Sequence, residues 1–231
     1  MKSRLLMLPG LLANDWSWAH QVRHLADQAE VTVVDLRPCP SREEMVDRVL
    51  AAGPGPFALG GHSMGGWVAQ AVAARAPERV TRLALVCTWG RPIAEFTTAR
   101  EMTLARAAAG EYEALLQENL PFIVHPDRLA DTTLVGPLLN MQRQSGRETL
   151  LRNMRAYHAD DDSRPLPPLI RCPTLVLAAR DDRFFPLAEQ RFLASAIAAA
   201  RLAVIDDCGH SAPMERPQAV PALLRYWLNY F

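Results

Sequence analysis

Lysine is nearly absent: Lys2 is the only one among 25 Lys+Arg residues, and 25 Asp+Glu residues bring the formal net charge of the 231-residue chain to zero. A chain without net charge gives no electrostatic reason to expect nucleic acid or an anionic membrane as partner. The arginine bias fits coding composition and carries no functional weight. Cysteine is scarce too: Cys39, Cys87, Cys172 and Cys208 stand far apart without a Cys-x-x-Cys pair. They read as reduced structural thiols rather than a disulfide framework or a zinc site. No apolar run reaches 18 residues, and the first ten residues are too short for a signal peptide. Repeats and low-complexity tracts are missing, the alanine-rich segments near Ala107 and Ala198 having ordinary helix composition. These absences predict a cytoplasmic, soluble protein. What is present is a length that suits one domain with an insertion, able to bury roughly 70–75% of its unfolded surface.

Short Val- and Leu-rich runs alternate with helical patterns, as in parallel βαβ units whose strands are covered on both faces. Strands are expected at 5–8, 31–35, 57–60, 83–87, 174–178 and 202–205, with helices at 16–30, 42–52, 65–76, 186–199 and 217–229. This predicts an α/β, doubly wound, mainly parallel six-stranded sheet. Between Trp89 and Pro165 the alternation stops, and helices broken at Gly110, Pro121, Pro126, Gly136 and Gly146 are expected. The domain reading is a core of residues 1–90 and 165–231 with an all-helical insertion at 91–164.

The most informative motif is Gly61-His62-Ser63-Met64-Gly65, set between the apolar run Phe57–Gly60 and an alanine-rich helix. A sharp strand-to-helix turn strains the serine backbone and stands its hydroxyl clear of the sheet, where a histidine can reach it. A serine nucleophile needs a base and a carboxylate to orient that base. Asp181 and Asp182 follow one expected strand and His210 follows the next, at the sheet edge where ligands bind. The order Ser, Asp, His fits the nucleophile-elbow enzymes.

Over essentially its whole length the chain resembles the α/β-hydrolase superfamily. The matching segments are Leu8–Trp16, Gly61–Gly66, Ala74–Val80, Cys172–Val176, Asp182 with Pro186, and Gly209-His210 with Glu215-Arg216-Pro217. The resemblance implies catalysis by Ser63, Asp182 and His210, and the family's proline, aligned with Pro186, selects Asp182 over Asp181. It also implies an oxyanion hole from the backbone N–H groups of Leu11 and Met64. Pro9-Gly10 stands where the family usually has His-Gly, Asp35–Ser41 replaces a Gly-rich turn, and the usual leading hairpin is missing or minimal. No metal or cofactor is implied. The expected activity is cleavage of a small-molecule carboxylic ester or thioester through an acyl-enzyme. Two alternatives are a C–C bond lyase or other nonhydrolytic reaction on the same triad, and a noncatalytic ligand-binding member.

In the resemblance the helical insertion is a cap over the serine that sets substrate choice. Trp16, Trp67, Trp89, Phe122 and Phe184 are candidate pocket residues. Packing of helices on the sheet explains any single one more simply, and Trp89 is the one singled out. In size and cap the chain is similar to the pimeloyl-acyl-carrier-protein methyl ester esterases, so Arg143, Arg147, Arg152 and Arg155 could meet an acyl-carrier protein. They span about half the helix circumference, however, which fits a solvated face better. His158 with Asp160, Asp161 and Asp162 reads as a polar linker, and His20 with His24 lacks a third metal ligand. His62 is expected to point away from Ser63 by strand alternation, as a packing or pocket residue, and His125 to sit in a loop.

Overall fold

The computed structural model describes residues 2–160 and 162–231; Asp161 of the acidic linker lies outside them. Along the chain come β1 (Ser3–Leu8), a 3-10 turn (Asp15–Trp18), α1 (Ala19–Leu25), β2 (Ala29–Val33), α2 (Arg42–Ala52), β3 (Phe57–His62), α3 (Met64–Arg75) and β4 (Val80–Val86). Four helices then interrupt the alternation: α4 (Ala94–Ala108), α5 (Tyr112–Ile123), α6 (Thr132–Ser145) and α7 (Arg147–Ala159). The core resumes with β5 (Thr174–Ala179), α8 (Leu187–Ala196), β6 (Ala200–Ile205), α9 (Ala212–Glu215) and α10 (Ala219–Tyr230).

The six strands form one sheet in the order β2-β1-β3-β4-β5-β6, and every pairing is parallel. Alternation along the strands divides the core into two layers. Leu6, Leu8, Leu83, Leu85 and Val176 face α2, α3 and α8, whereas Leu5, Met7, Ala84, Val86, Leu175 and Leu177 face α1 and α10. Every residue of β3 and β5 is buried. At about 1.5–3 kcal/mol per fully buried Leu or Val, these strands anchor the fold. The strand order reverses between β1 and β3, and at such a switch point a crevice opens beyond the C-terminal strand ends.

Two helical expectations are corrected. The helix expected over 16–30 is split: Asn14 caps the 3-10 turn, its Oδ1 accepting from the Trp16 N–H at 3.0 Å, and α1 spans only Ala19–Leu25. Ala29 and Glu30 instead pair with Ser3 and Arg4, so the ladder with β1 outweighs helix propensity there. The expected breaks at Pro121 and Gly136 fall inside α5 and α6. Pro121 sits in the last turn, where its missing N–H forfeits one bond, and the buried stripe of Leu134, Leu138, Leu139 and Met141 carries α6 through Gly136. Gly110 and Gly146 do break the helices, both at positive φ. The inserted helices share one apolar cluster with the sheet, through Leu115, Leu116, Leu139, Leu150 and Met154. No helix among the described residues is long and apolar enough to cross a membrane.

Candidate active site

Ser63 occupies the single-residue turn between β3 and α3 with φ 53° and ψ −120°, a conformation costing a non-glycine residue about 1–3 kcal/mol. Its neighbours hold it there. The Ser63 N–H donates to the Val86 carbonyl at 3.0 Å, and the Ser63 carbonyl accepts from the Gly66 N–H at 2.9 Å and the Thr88 hydroxyl at 2.8 Å. The turn is tight enough that a Cβ on Gly61 would lie 2.3 Å from the Gly65 carbonyl oxygen, and one on Gly65 2.3 Å from that of Leu8. Thr88, which nothing in the sequence marked, closes the far side of this elbow.

The other two residues arrive from the ends of β5 and β6. His210 Nε2 lies 2.9 Å from Ser63 Oγ, and its Nδ1 lies 2.9 Å from Asp182 Oδ2. The second carboxylate oxygen of Asp182 accepts from the N–H groups of Phe184 and Phe185, each at 2.9 Å. The loop backbone thus fixes the carboxylate, which fixes the imidazole. Asp181 turns elsewhere, its Oδ2 standing 3.6 Å from His125 Nε2. All three of Ser63, Asp182 and His210 are buried.

Leu11 and Met64 line the same cavity as Ser63, and among the described residues neither N–H has an acceptor within the chain. Gly10 lies against the elbow, since a Cβ there would approach Ser63 Cβ to 3.2 Å. Two unspent N–H groups beside a nucleophile are what a developing oxyanion needs.

His62 packs beside the triad. Its ring centroid is 5.0 Å from that of His210, and its Nε2 bonds the His210 carbonyl at 2.8 Å. That carbonyl only accepts, so Nε2 carries the proton. Burial first, and the neighbouring His210 second, hold the imidazole down to about 3. The folded state therefore refuses a proton that the unfolded chain accepts below pH 6.5, and stability falls as pH drops from about 6.5 toward 3. His62→Gln is expected to abolish about 2 kcal/mol of the stability lost between pH 7 and pH 5. Urea titrations at the two pH values check this; an unchanged pH difference removes His62 as the source.

A cavity of about 200 Å³ opens over Ser63 and His210. Its walls come from the sheet edge, through Leu11, Leu12, Met64, Trp89, Phe184 and Phe185, and from all four inserted helices, through residues such as Phe96, Leu116, Met141 and Tyr157. Trp89 and Phe184 line it; Phe184 meets the His210 ring edge-on at 5.1 Å, and Trp89 stacks on Phe185 at 4.7 Å. Trp16 and Phe122 do not line it, and each is 42% exposed. The 3-10 turn faces Trp16 outward, and Phe122 packs behind Phe184 under the Arg183 guanidinium. Trp67 does not line the cavity either; it stacks on Trp89, carries the Arg42 guanidinium over its ring and donates its indole N–H to the Asp160 carbonyl at 3.0 Å. Phe185, Phe96 and Tyr157 are wall residues that the sequence did not single out; Phe185, beside Phe184, carried the nearest thing to a signal.

The other candidates lie apart from this cavity. Burial raises the Cys87 and Cys208 thiols, which keeps them protonated and poor nucleophiles. Arg143 and Arg147 pair with Glu113 and Glu148, and Arg152 donates to the Arg37 carbonyl. His20 and His24 stack on each other on the surface, and no group of three metal-ligating side chains occurs among the described residues.

A sequence profile described as the alpha/beta hydrolase fold matches residues 3–217. The RutD protein of Azorhizobium caulinodans, provisionally named a carbamate hydrolase, is 28% identical over 236 residues, which cover 95% of this chain and 89% of the relative. A thermophilic esterase from Thermogutta terrifontis superposes with a TM-score of 0.89 at 26% identity, over 99% of this chain and 90% of its own. The enol-lactonase of Burkholderia xenovorans LB400 superposes with a TM-score of 0.90 at 27% identity, over 99% and 92%. A serine elbow at the switch point of a parallel sheet, with Asp182 and His210 delivered from the ends of β5 and β6, sits inside the matched region, and the chain belongs to the alpha/beta hydrolase fold family.

Proposed function

We propose that the chain is a serine hydrolase that cleaves a small-molecule carboxylic ester, open-chain or lactone, or a thioester, through an acyl-enzyme on Ser63. The observation that carries this reading is the relay of two 2.9 Å hydrogen bonds from Asp182 through His210 to the Ser63 hydroxyl. Attack of Oγ on the acyl carbon passes its proton to His210 Nε2, while Asp182 stabilises the imidazolium and keeps the ring in the required tautomer. The developing oxyanion is received by the Leu11 and Met64 N–H groups. His210 then protonates the leaving alcohol or thiol, and the same base activates the water that releases the acid. By name, the three relatives act on a carbonyl bearing a heteroatom, which is the chemistry this arrangement performs.

The inserted helices act as a cap. Their Leu, Met and aromatic side chains make the acyl side of the cavity apolar, so the favoured acyl group is a hydrocarbon of short to medium length. A fluorophosphonate probe is expected to label the protein at Ser63, located by peptide mass spectrometry. p-Nitrophenyl esters from acetyl to dodecanoyl are expected to turn over, with the dodecanoyl ester the slowest. Absence of labelling, or labelling at another residue, overturns the assignment; labelling without turnover of any ester overturns the substrate class.

A further inference from the structure

The backbone that presents the Leu11 N–H is a single turn, Gly10–Ala13, closed by the Ala13 N–H donating to the Gly10 carbonyl at 3.2 Å. Leu12 inside it has φ 59°, a left-handed conformation that disfavours an L side chain. Its side chain is buried in the main apolar cluster, and its carbonyl accepts the Ser145 hydroxyl at 2.9 Å. Ser145 is the last residue of α6, at the corner where Gly146 turns the chain into α7. A residue 133 positions away along the chain thus holds the turn that flanks the nucleophile.

Peptide geometry gives this contact a direction. Within one trans peptide unit the C=O and the N–H point opposite ways. The Leu12 carbonyl shares a unit with the Ala13 N–H, and the Gly10 carbonyl shares one with the Leu11 N–H. The bonds therefore run head to tail: Ser145 hydroxyl to Leu12 carbonyl, Ala13 N–H to Gly10 carbonyl, and Leu11 N–H outward from the turn. Each bond polarises the next, by about 10–30% per bond, and each fixes the plane of the unit that follows.

We propose that Ser145 is a positioning residue that orients and polarises the Leu11 N–H through this two-peptide relay, so that the cap completes the oxyanion hole. The inference rests on the acyl-transfer reading above and adds to it a residue outside the catalytic triad. Because the contact joins α6 to the loop after β1, a displacement of this corner of the cap weakens the oxyanion donor. The hole is then at full strength only when the cap is seated.

The test compares wild type, Ser145→Ala and Ser145→Thr. Loss of a whole oxyanion donor costs about 10²- to 10³-fold in kcat. A donor that is weakened and misaimed rather than removed predicts a fall of roughly tenfold in Ser145→Ala, with KM within twofold and an unchanged Tm. Affinity for a trifluoromethyl ketone, which forms a tetrahedral oxyanion on Ser63, should fall by the same factor, and Ser145→Thr should restore both. A Ser145→Ala enzyme with kcat and ketone affinity within twofold of wild type overturns the proposal. So does a loss accompanied by a matching rise in KM and no recovery in the threonine variant, which marks a merely structural role. The amide proton shifts of Leu11 and Ala13 in 15N-labelled protein give a readout independent of turnover. Both are expected to move upfield in Ser145→Ala and return in Ser145→Thr, and unmoved shifts count against the relay. A wild type that turns over no ester removes the esterase reading, while the amide shifts still decide whether Ser145 holds the turn.

Discussion

Ser63→Ala and His210→Ala are each expected to lower ester kcat by about 10⁴- to 10⁶-fold while leaving the thermal midpoint close to wild type. In the proposed reaction Ser63 Oγ bonds the acyl carbon, and among the described residues its side-chain partner is His210 Nε2 at 2.9 Å. Without the oxygen no acyl-enzyme forms. Without the imidazole the hydroxyl keeps its proton, since the buried His62 bonds a carbonyl instead and is held neutral. The two groups perform one step, so the double variant should be no worse than either single one. What the proposed mechanism leaves in such a variant is stabilisation by the Leu11 and Met64 N–H groups and by the walls. Turnover above one hundredth of wild type in either variant, measured on protein with a normal melt, removes the assignment; so does a double variant that multiplies the two losses.

Gly65→Ala is the substitution expected to damage the fold most for the fewest added atoms. The new Cβ would stand 2.3 Å from the Leu8 carbonyl oxygen and 2.7 Å from that of Pro9. Both are backbone atoms of β1 and the loop after it, so no rotamer change relieves the overlap. β1 lies between β2 and β3, and moving it breaks two ladders. Overpacking of a well-filled interior costs about 1–3 kcal/mol where side chains can yield. The upper end applies here, about 3 kcal/mol or more, with a fall in Tm of roughly 6–12 °C for a chain of this size. Ester turnover should collapse as well, because the loop that is pushed aside carries Leu11. A Gly65→Ala protein that melts within 2 °C of wild type and keeps its kcat contradicts this account of the elbow.

The sheet was legible because its strands are short apolar runs, and a strand covered on both faces has no other way to look. Ser63, the Asp181-Asp182 pair and His210 stood out because each follows such a run, and strand ends meet at one edge of a parallel sheet; the choice of Asp182 over Asp181 came from the family resemblance through Pro186. Legibility failed where partners lie far apart in the chain. An aromatic side chain carries no mark of which way it will face, so Trp16 and Phe122 looked no different from Phe184; Trp89 alone stood apart, just past a strand end. Pairing with β1 claimed Ala29 and Glu30 from an expected helix, and that competition is set by Ser3 and Arg4, not by local propensity. Thr88 and Ser145 are ordinary hydroxyl residues until the fold brings them to the carbonyls of Ser63 and Leu12.

The helices α4 to α7 enter the chain as one uninterrupted stretch between β4 and β5. In hereditary terms, much of the cavity wall is therefore encoded in a single block, while Ser63, His210 and Asp182 are encoded outside it. A recombination event that exchanges this block can give the same chemistry a new substrate in one step. The block is not freely interchangeable, because it must supply an apolar underside for the shared cluster and a hydroxyl for the Leu12 carbonyl. Leu115, Leu116, Leu150 and Met154 both line the cavity and belong to that cluster, so an exchanged block must reshape the pocket and keep the packing at the same residues.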